Sequence, residues 1–216
     1  MKHAPKPTVY ADTVFRSRLE ASWAAFFDLA GWRWQYEPYD LKGWTPDFLI
    51  EGAHPMLVEV KPIDWSLGGK AIEDNYSALA KAIEHAKAEN WGEAEYEVLL
   101  LGTAPWLLPH AREPALGLFV ACLGNEYSTD PAIVYEGYDP QCLDVGAMLG
   151  WYGYRVGGQA DGDHHIKTIT YDEVLAIWRR ARALTQWKKP IAPPQEFIPA
   201  GRAMADVVRK MKRGDA

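Results

Sequence analysis

Asp47, Glu59 and Lys61 are ionisable residues set in two short apolar runs, Thr45-Pro46-Asp47-Phe48-Leu49-Ile50 and Leu57-Val58-Glu59-Val60-Lys61. Such runs read as strands, whose side chains alternate faces with a period of two. Glu59 and Lys61 therefore share one face, while Val58 and Val60 fill the other. The hairpin turn falls near Gly52-Ala53-His54-Pro55. A loop of Gly52 to His54 sets Asp47 opposite Glu59, and a loop of Ala53 to Pro55 sets it opposite Lys61. Directly opposite residues of an antiparallel pair point to the same face, so either odd-length loop gathers all three. A four-residue loop puts Asp47 opposite Val60, on the wrong face unless a bulge intervenes. Two carboxylates beside an ammonium would hold a divalent cation next to a positive donor, the apparatus of metal-assisted phosphodiester hydrolysis. The ordinary alternative makes Asp47 a turn residue after Pro46, and Glu59 with Lys61 the solvated face of an edge strand.

The elements that must position these residues are legible around them. A helix is expected from about Thr13 to Leu29, capped by Asp12 or Thr13 and followed by Gly31, with Phe15, Leu19, Trp23, Phe26 and Phe27 at core spacing. Trp32-Arg33-Trp34-Gln35-Tyr36 alternates like a strand leading into the hairpin. Pro62 to Gly69 is a connection beside the candidate site, a gating loop or a plain linker. A helix over residues 70–90 shows Ile72, Tyr76, Leu79, Ala80 and Ile83 on one face, and Tyr96 to Leu101 is an apolar strand buried on both faces. Pro105 to Pro109 breaks that pattern and opens a region of short strands, Leu116 to Cys122 and Ala132 to Tyr135. Thr170-Tyr171-Asp172-Glu173 has capping-box spacing for a helix reaching about Trp187. Pro190 to Pro199 reads as a linker, and Ala200 to Lys212 as a basic amphipathic helix.

Pro46-Asp47, an eleven-residue gap and Glu59-Val60-Lys61 resemble the PD-(D/E)xK signature of the restriction-endonuclease-like nuclease superfamily. The resemblance extends through Phe15-Arg16-Ser17-Arg18-Leu19-Glu20 and Trp34-Gln35-Tyr36-Glu37-Pro38, and covers about residues 13 to 104. It is similar in detail to small nucleases of phages and mobile elements, and more loosely to the TnsA-type transposon end-cleaving nuclease. The resemblance implies an α/β (α+β) fold with a restriction-endonuclease-like core, a central mixed sheet flanked by helices. It also implies a Mg²⁺ site (Mn²⁺ substituting) made by Asp47, Glu59, the backbone carbonyl of Val60 and Glu20, with Lys61 assisting the attacking water or the transition state. Glu20 and Arg16 stand four apart, which is also the spacing of an ordinary helix-surface pair. The expected organisation is an arm over 1–12, a nuclease core over 13–104, an α/β extension packed on it over 105–189, and a linker with tail helix over 190–216.

The chain has 216 residues and a net charge of −6, which alone speaks against a nucleic-acid partner, but the charge is uneven. Residues 179–213 hold ten basic side chains (Arg179, Arg180, Arg182, Lys188, Lys189, Arg202, Arg209, Lys210, Lys212, Arg213) against Glu196 and Asp206, whereas residues 1–178 hold 13 basic and 26 acidic ones. That asymmetry is an electrostatic footprint for phosphate, with solvated helix faces as the ordinary alternative. Arg16 and Arg18 flank Glu20 within reach of a DNA backbone. Lys81 and His85, four apart on one helix face, are further phosphate candidates, for which plain surface placement is the simpler reading. Trp44 and Trp65 bracket the motif and could stack on bases or line a cleft. Cys122 and Cys142 suit buried thiols in a reducing cytoplasm, and the loop pair His164-His165 adds no metal-ligand spacing to them. No apolar run is long enough to span a membrane, and Met1-Lys2-His3-Ala4-Pro5 does not open a signal peptide. Besides DNA, a homodimer or a partner recombination or transposition protein is a candidate partner. A transposon-type subunit active only with such a partner, and a catalytically silent DNA-binding module, are the competing functional classes.

Overall fold

The computed structural model describes residues 6–41, 43–87, 97–123, 126–137, 142–147, 156 and 167–186. The proline-rich linker, the basic tail with Lys188 and Lys189, and His164-His165 lie outside them, as do the side chains of His85 and Cys122.

Within and just after the expected arm, residues 8–15 form a hairpin. Thr8–Tyr10 (β1) pairs antiparallel with Thr13–Phe15 (β2), and Tyr10 faces Thr13 across a two-residue loop. Ala11 and Asp12 both have positive φ, 45° and 60°, the backbone that a tight two-residue hairpin demands. The expected helix start at Thr13 is corrected by this pairing. Thr-Val-Tyr and Thr-Val-Phe are β-branched and aromatic triplets that suit a pleated surface, and strand geometry drives Phe15 fully into the core. Helix α1 is Arg18–Leu29, with Ser17 as N-cap: its hydroxyl accepts from the Glu20 amide at 3.2 Å. The helix ends at Ala30, followed by Gly31 at φ 78°.

Arg33–Tyr36 (β3), Phe48–Glu51 (β4) and Met56–Val60 (β5) follow as an antiparallel run. From β5 the chain crosses through a 3₁₀ turn, Trp65–Leu67, and two helices, Gly69–Asp74 (α2) and Tyr76–Lys87 (α3), to Glu97–Leu107 (β6). The single helix expected over 70–90 is thus broken at Asn75, whose amide bonds the Ile72 carbonyl and whose side chain bonds the Ala71 carbonyl. Strand β6 lies parallel to β5, and parallel neighbours need such a crossover. It runs beyond the expected break, through Pro105 to Leu107, with its pairing register shifting between Leu101 and Trp106, the kind of irregularity that accommodates a strand proline.

Pro114–Leu123 (β7), Glu126–Glu136 (β8), Leu143–Ala147 (β9) and Lys167–Thr168 (β10) complete the sheet. Its order is β10-β8-β7-β6-β5-β4-β3, with β9 also paired to β8. After residue 104, β7 and β8 continue the same sheet. Helix α4, Tyr171–Leu184, closes the described chain behind a complete Thr170/Glu173 capping box, three residues short of the expected end.

The architecture is a mixed α/β sheet covered by helices on both faces. Alternation along β6 sends Leu99 and Leu101 into one apolar cluster and Val98 and Leu100 into the other. The first cluster joins α1 and α4 to Phe48, Ile50, Val58 and Val60; the second joins α2 and α3 to Ile63, Trp65, Leu118 and Val120. Trp23 of α1 meets Trp178 of α4 with ring centroids 4.5 Å apart, and Ser22 meets Thr185 hydroxyl to hydroxyl at 2.9 Å. Each such buried aromatic contributes about 1.5–3 kcal/mol of transfer free energy, so the layer holding α1 against the sheet is rigid enough to aim a side chain. No helix of the described residues is long and apolar enough to cross a membrane.

Candidate active site

The β4–β5 register settles the hairpin. Phe48 pairs with Val58, Leu49 with Leu57 and Ile50 with Met56, so the loop is Gly52 to His54 and Asp47, one step on, lies opposite Glu59. Strand β5 sits between β4 and β6, which removes the edge-strand reading of Glu59 and Lys61. Asp47 is buried, 3 % exposed, rather than a solvated turn residue.

Asp47 stands just before β4, and its carboxylate takes a backbone partner: Oδ2 accepts from the Val60 amide at 2.7 Å. In an antiparallel pair a residue's N–H and C=O point to the same neighbour, so the Val60 carbonyl belongs to this same edge. Asp47 Oδ1 accepts from Arg16 Nη2 at 2.6 Å, and Arg16 Nε lies 2.7 Å from Glu37 Oε1. Glu37 holds a left-handed φ of 46°, and its amide bonds the Asp47 carbonyl at 3.0 Å, which clamps the end of β3 onto the start of β4. On β5, Glu59 Oε1 pairs with Lys61 Nζ, as the shared face requires, and Glu59 Oε2 accepts from Trp44 Nε1 at 2.8 Å.

Glu20 approaches from the α1 side of the sheet and is 8 % exposed. Ser17-Arg18-Leu19-Glu20 has the spacing of a capping box, yet only half of one forms. The Glu20 carboxylate turns from its own helix end and accepts from Tyr36 Oη at 2.7 Å. Arg16 precedes the helix, so the ordinary alternative of an Arg16–Glu20 helix-surface pair does not arise; instead the Arg16 amide donates to Tyr36 Oη at 3.1 Å. One hydroxyl thereby joins the two sides of the site.

The electrostatics follow from crowding. Burial, then the neighbouring Glu59 and Glu20 charges, push the Asp47 carboxyl up to about 7 against the pull of the Val60 amide and Lys61. Burial and the bond to Glu20 likewise push the Tyr36 phenol up, so it stays a neutral donor. With all groups ionised, Asp47, Glu59, Glu20 and Glu37 against Arg16 and Lys61 leave two net negative charges. Carboxylate and carbonyl oxygens with that imbalance fit Mg²⁺, a hard cation that takes oxygen ligands and keeps several waters. Among the described residues, no three His, Cys, Asp or Glu side chains are gathered tightly enough to grip an ion as they stand. Arg16 and Lys61 lie against the carboxylates.

Other expected residues fall elsewhere. Arg18 is exposed on the first turn of α1, Lys81 is exposed on α3, and Arg179 and Arg180 are exposed on α4. Trp65 is core, 3 % exposed, and cannot stack on a base, whereas Trp44 stands on the site itself. Cys142 is half-buried, and its thiol donates to the Leu143 carbonyl at 3.2 Å. Tyr36, Glu37 and the guanidinium of Arg16 are the site residues that sequence reasoning did not assign to the carboxylates. Only the Ser17-x-x-Glu20 spacing hinted that the helix begins later and that Arg16 is free to turn inward. Comparison with protein-family models, with curated proteins and with solved structures found no match to this chain.

Proposed function

We propose that this protein is a divalent-metal-dependent DNA nuclease with a restriction-endonuclease-like core. The observation that carries the reading is the register of the β4–β5 hairpin: it sets Asp47 opposite Glu59 at the ends of two adjacent strands, with Lys61 on Glu59 and the Val60 backbone on Asp47. In this reading Asp47, Glu59 and the Val60 carbonyl hold Mg²⁺, and Glu20 completes the acidic set from α1. The bound ion supplies Lewis acidity that activates water and offsets charge on the pentacovalent transition state. Lys61, half-exposed beside Glu59, orients the attacking water or stabilises the charge developing on the phosphate. The exposed Arg179, Arg180 and Arg182 of α4 support a nucleic-acid substrate, because phosphate neutralisation dominates the affinity for DNA.

The test is cleavage of supercoiled plasmid, linear duplex and branched DNA in Mg²⁺, Mn²⁺ or EDTA, with Lys61→Ala alongside. Metal-dependent cutting that falls at least a hundredfold in the variant, with fold and DNA affinity retained, is expected. Cutting that is unchanged in Lys61→Ala, or insensitive to EDTA, would sink the assignment.

A further inference from the structure

Among the described residues, the Val60 amide and the Arg16 guanidinium on the Asp47 carboxylate decide how an ion would reach it. Oδ2 is committed to the Val60 amide at 2.7 Å, a bond that also ties β4 to β5. Oδ1 is the oxygen left to face a ligand, and Arg16 Nη2 lies on it at 2.6 Å. A guanidinium and a divalent cation repel each other and compete for that one oxygen. The guanidinium is not anchored by Asp47 alone, because Nε rests on Glu37 Oε1 at 2.7 Å. Its side chain is also 57 % exposed, whereas the Asp47 side chain is 4 % exposed. Arg16 can therefore leave Oδ1, keep Glu37 and regain water, whereas Asp47 cannot move without losing the Val60 amide. The backbone of Arg16 holds still during such a move, since its amide is bonded to Tyr36 Oη and the next residue is the α1 cap.

We infer that Arg16 is a displaceable counter-ion of the proposed metal site: it neutralises Asp47 in the ion-free protein and is exchanged for the divalent cation when the site loads. The inference rests on the metal-dependent reading above. It makes Arg16 a positioning residue that lowers ion affinity while keeping the site assembled.

The test is isothermal titration of MgCl₂, repeated with MnCl₂, into the full chain, into Arg16→Met, which keeps much of the aliphatic stem, and into Asp47→Asn. Arg16→Met is expected to bind Mg²⁺ about tenfold more tightly than the unsubstituted chain, the size of one charge-assisted hydrogen bond no longer displaced. Asp47→Asn is expected to bind least. Equal or weaker Mg²⁺ binding by Arg16→Met, with binding by the unsubstituted chain intact, overturns the counter-ion role and leaves the metal reading standing. Binding by neither chain overturns both. A second readout needs no substitution: the guanidinium proton–nitrogen signals of Arg16 should move during the MgCl₂ titration, with the midpoint seen calorimetrically. Signals that stay fixed while Mg²⁺ binds overturn the exchange.

Discussion

Tyr36→Phe isolates one hydroxyl at the centre of the site. The ring itself is held by neighbours that the substitution does not touch: Phe15 at 4.5 Å and Phe48 at 5.4 Å between centroids. What is lost is a donor to Glu20 Oε2 at 2.7 Å and an acceptor for the Arg16 amide at 3.1 Å. The Arg16 amide lies at an exposed residue and can turn to water, so its loss costs little. Glu20 is buried, and a hydrogen bond to a charged group contributes roughly 1.5–3 kcal/mol. The variant should lose about 2 kcal/mol, and at about 2–4 °C per kcal/mol for a chain of this size Tm should fall by roughly 4–8 °C. Thermal unfolding in EDTA reads this directly, and a double-mutant cycle assigns it. In a Glu20→Ala background Tyr36→Phe should cost less than about 0.5 kcal/mol, a coupling of about 1.5 kcal/mol. If the two substitutions are additive, the Tyr36–Glu20 bond is not holding the helix end to the sheet and the account of Glu20 fails. Cleavage by Tyr36→Phe should also drop about tenfold, because an untethered Glu20 no longer presents its carboxylate in a fixed direction.

Gly102 lies where any Cβ would strike the Ile63 carbonyl and the Trp65 ring, so Gly102→Ala should destabilise by about 1–3 kcal/mol in chemical denaturation; an unchanged midpoint would mean that the segment after Lys61 is not packed on β6. Trp44→Phe removes the indole donor to Glu59 Oε2 while keeping an aromatic ring, and should lower cleavage about tenfold with little change in Tm. In EDTA, the Asp47 carboxyl, pushed up to about 7 from 3.8, binds its proton more tightly folded than unfolded. The stability tied to that proton is full below about pH 4 and is lost as pH rises through about 7, and Asp47→Asn should remove this slope from a series of melts.

Much of the local structure was readable because it depends on a few neighbouring residues. Period-two alternation put Glu59 and Lys61 on one face, and the two are in contact. The Thr170-x-x-Glu173 spacing named a cap that is present in full. The start of α1 was misread for an equally local reason: Phe15 fits a helical stripe as well as it fits a strand, and only the Ala11-Asp12 turn, with its two positive φ values, decides between them. The sequence leaves the hairpin loop open between three and four residues, and strand register selects Gly52 to His54.

By itself, then, the sequence determined which side chains share a face and where an acidic, lysine-bearing hairpin stands, since alternation and capping act across a few residues. The tertiary structure decided what those side chains meet. That β7 and β8 extend the one sheet follows from β6 pairing with both β5 and β7. That Glu20 reaches Tyr36 follows from the packing of α1 against both the sheet and α4, which joins Ser22 to Thr185. Arg16 lies on Asp47 because two segments 31 residues apart are brought together by the Phe15, Tyr36 and Phe48 rings. Contacts of that kind are set by non-local burial, which no short window of sequence contains.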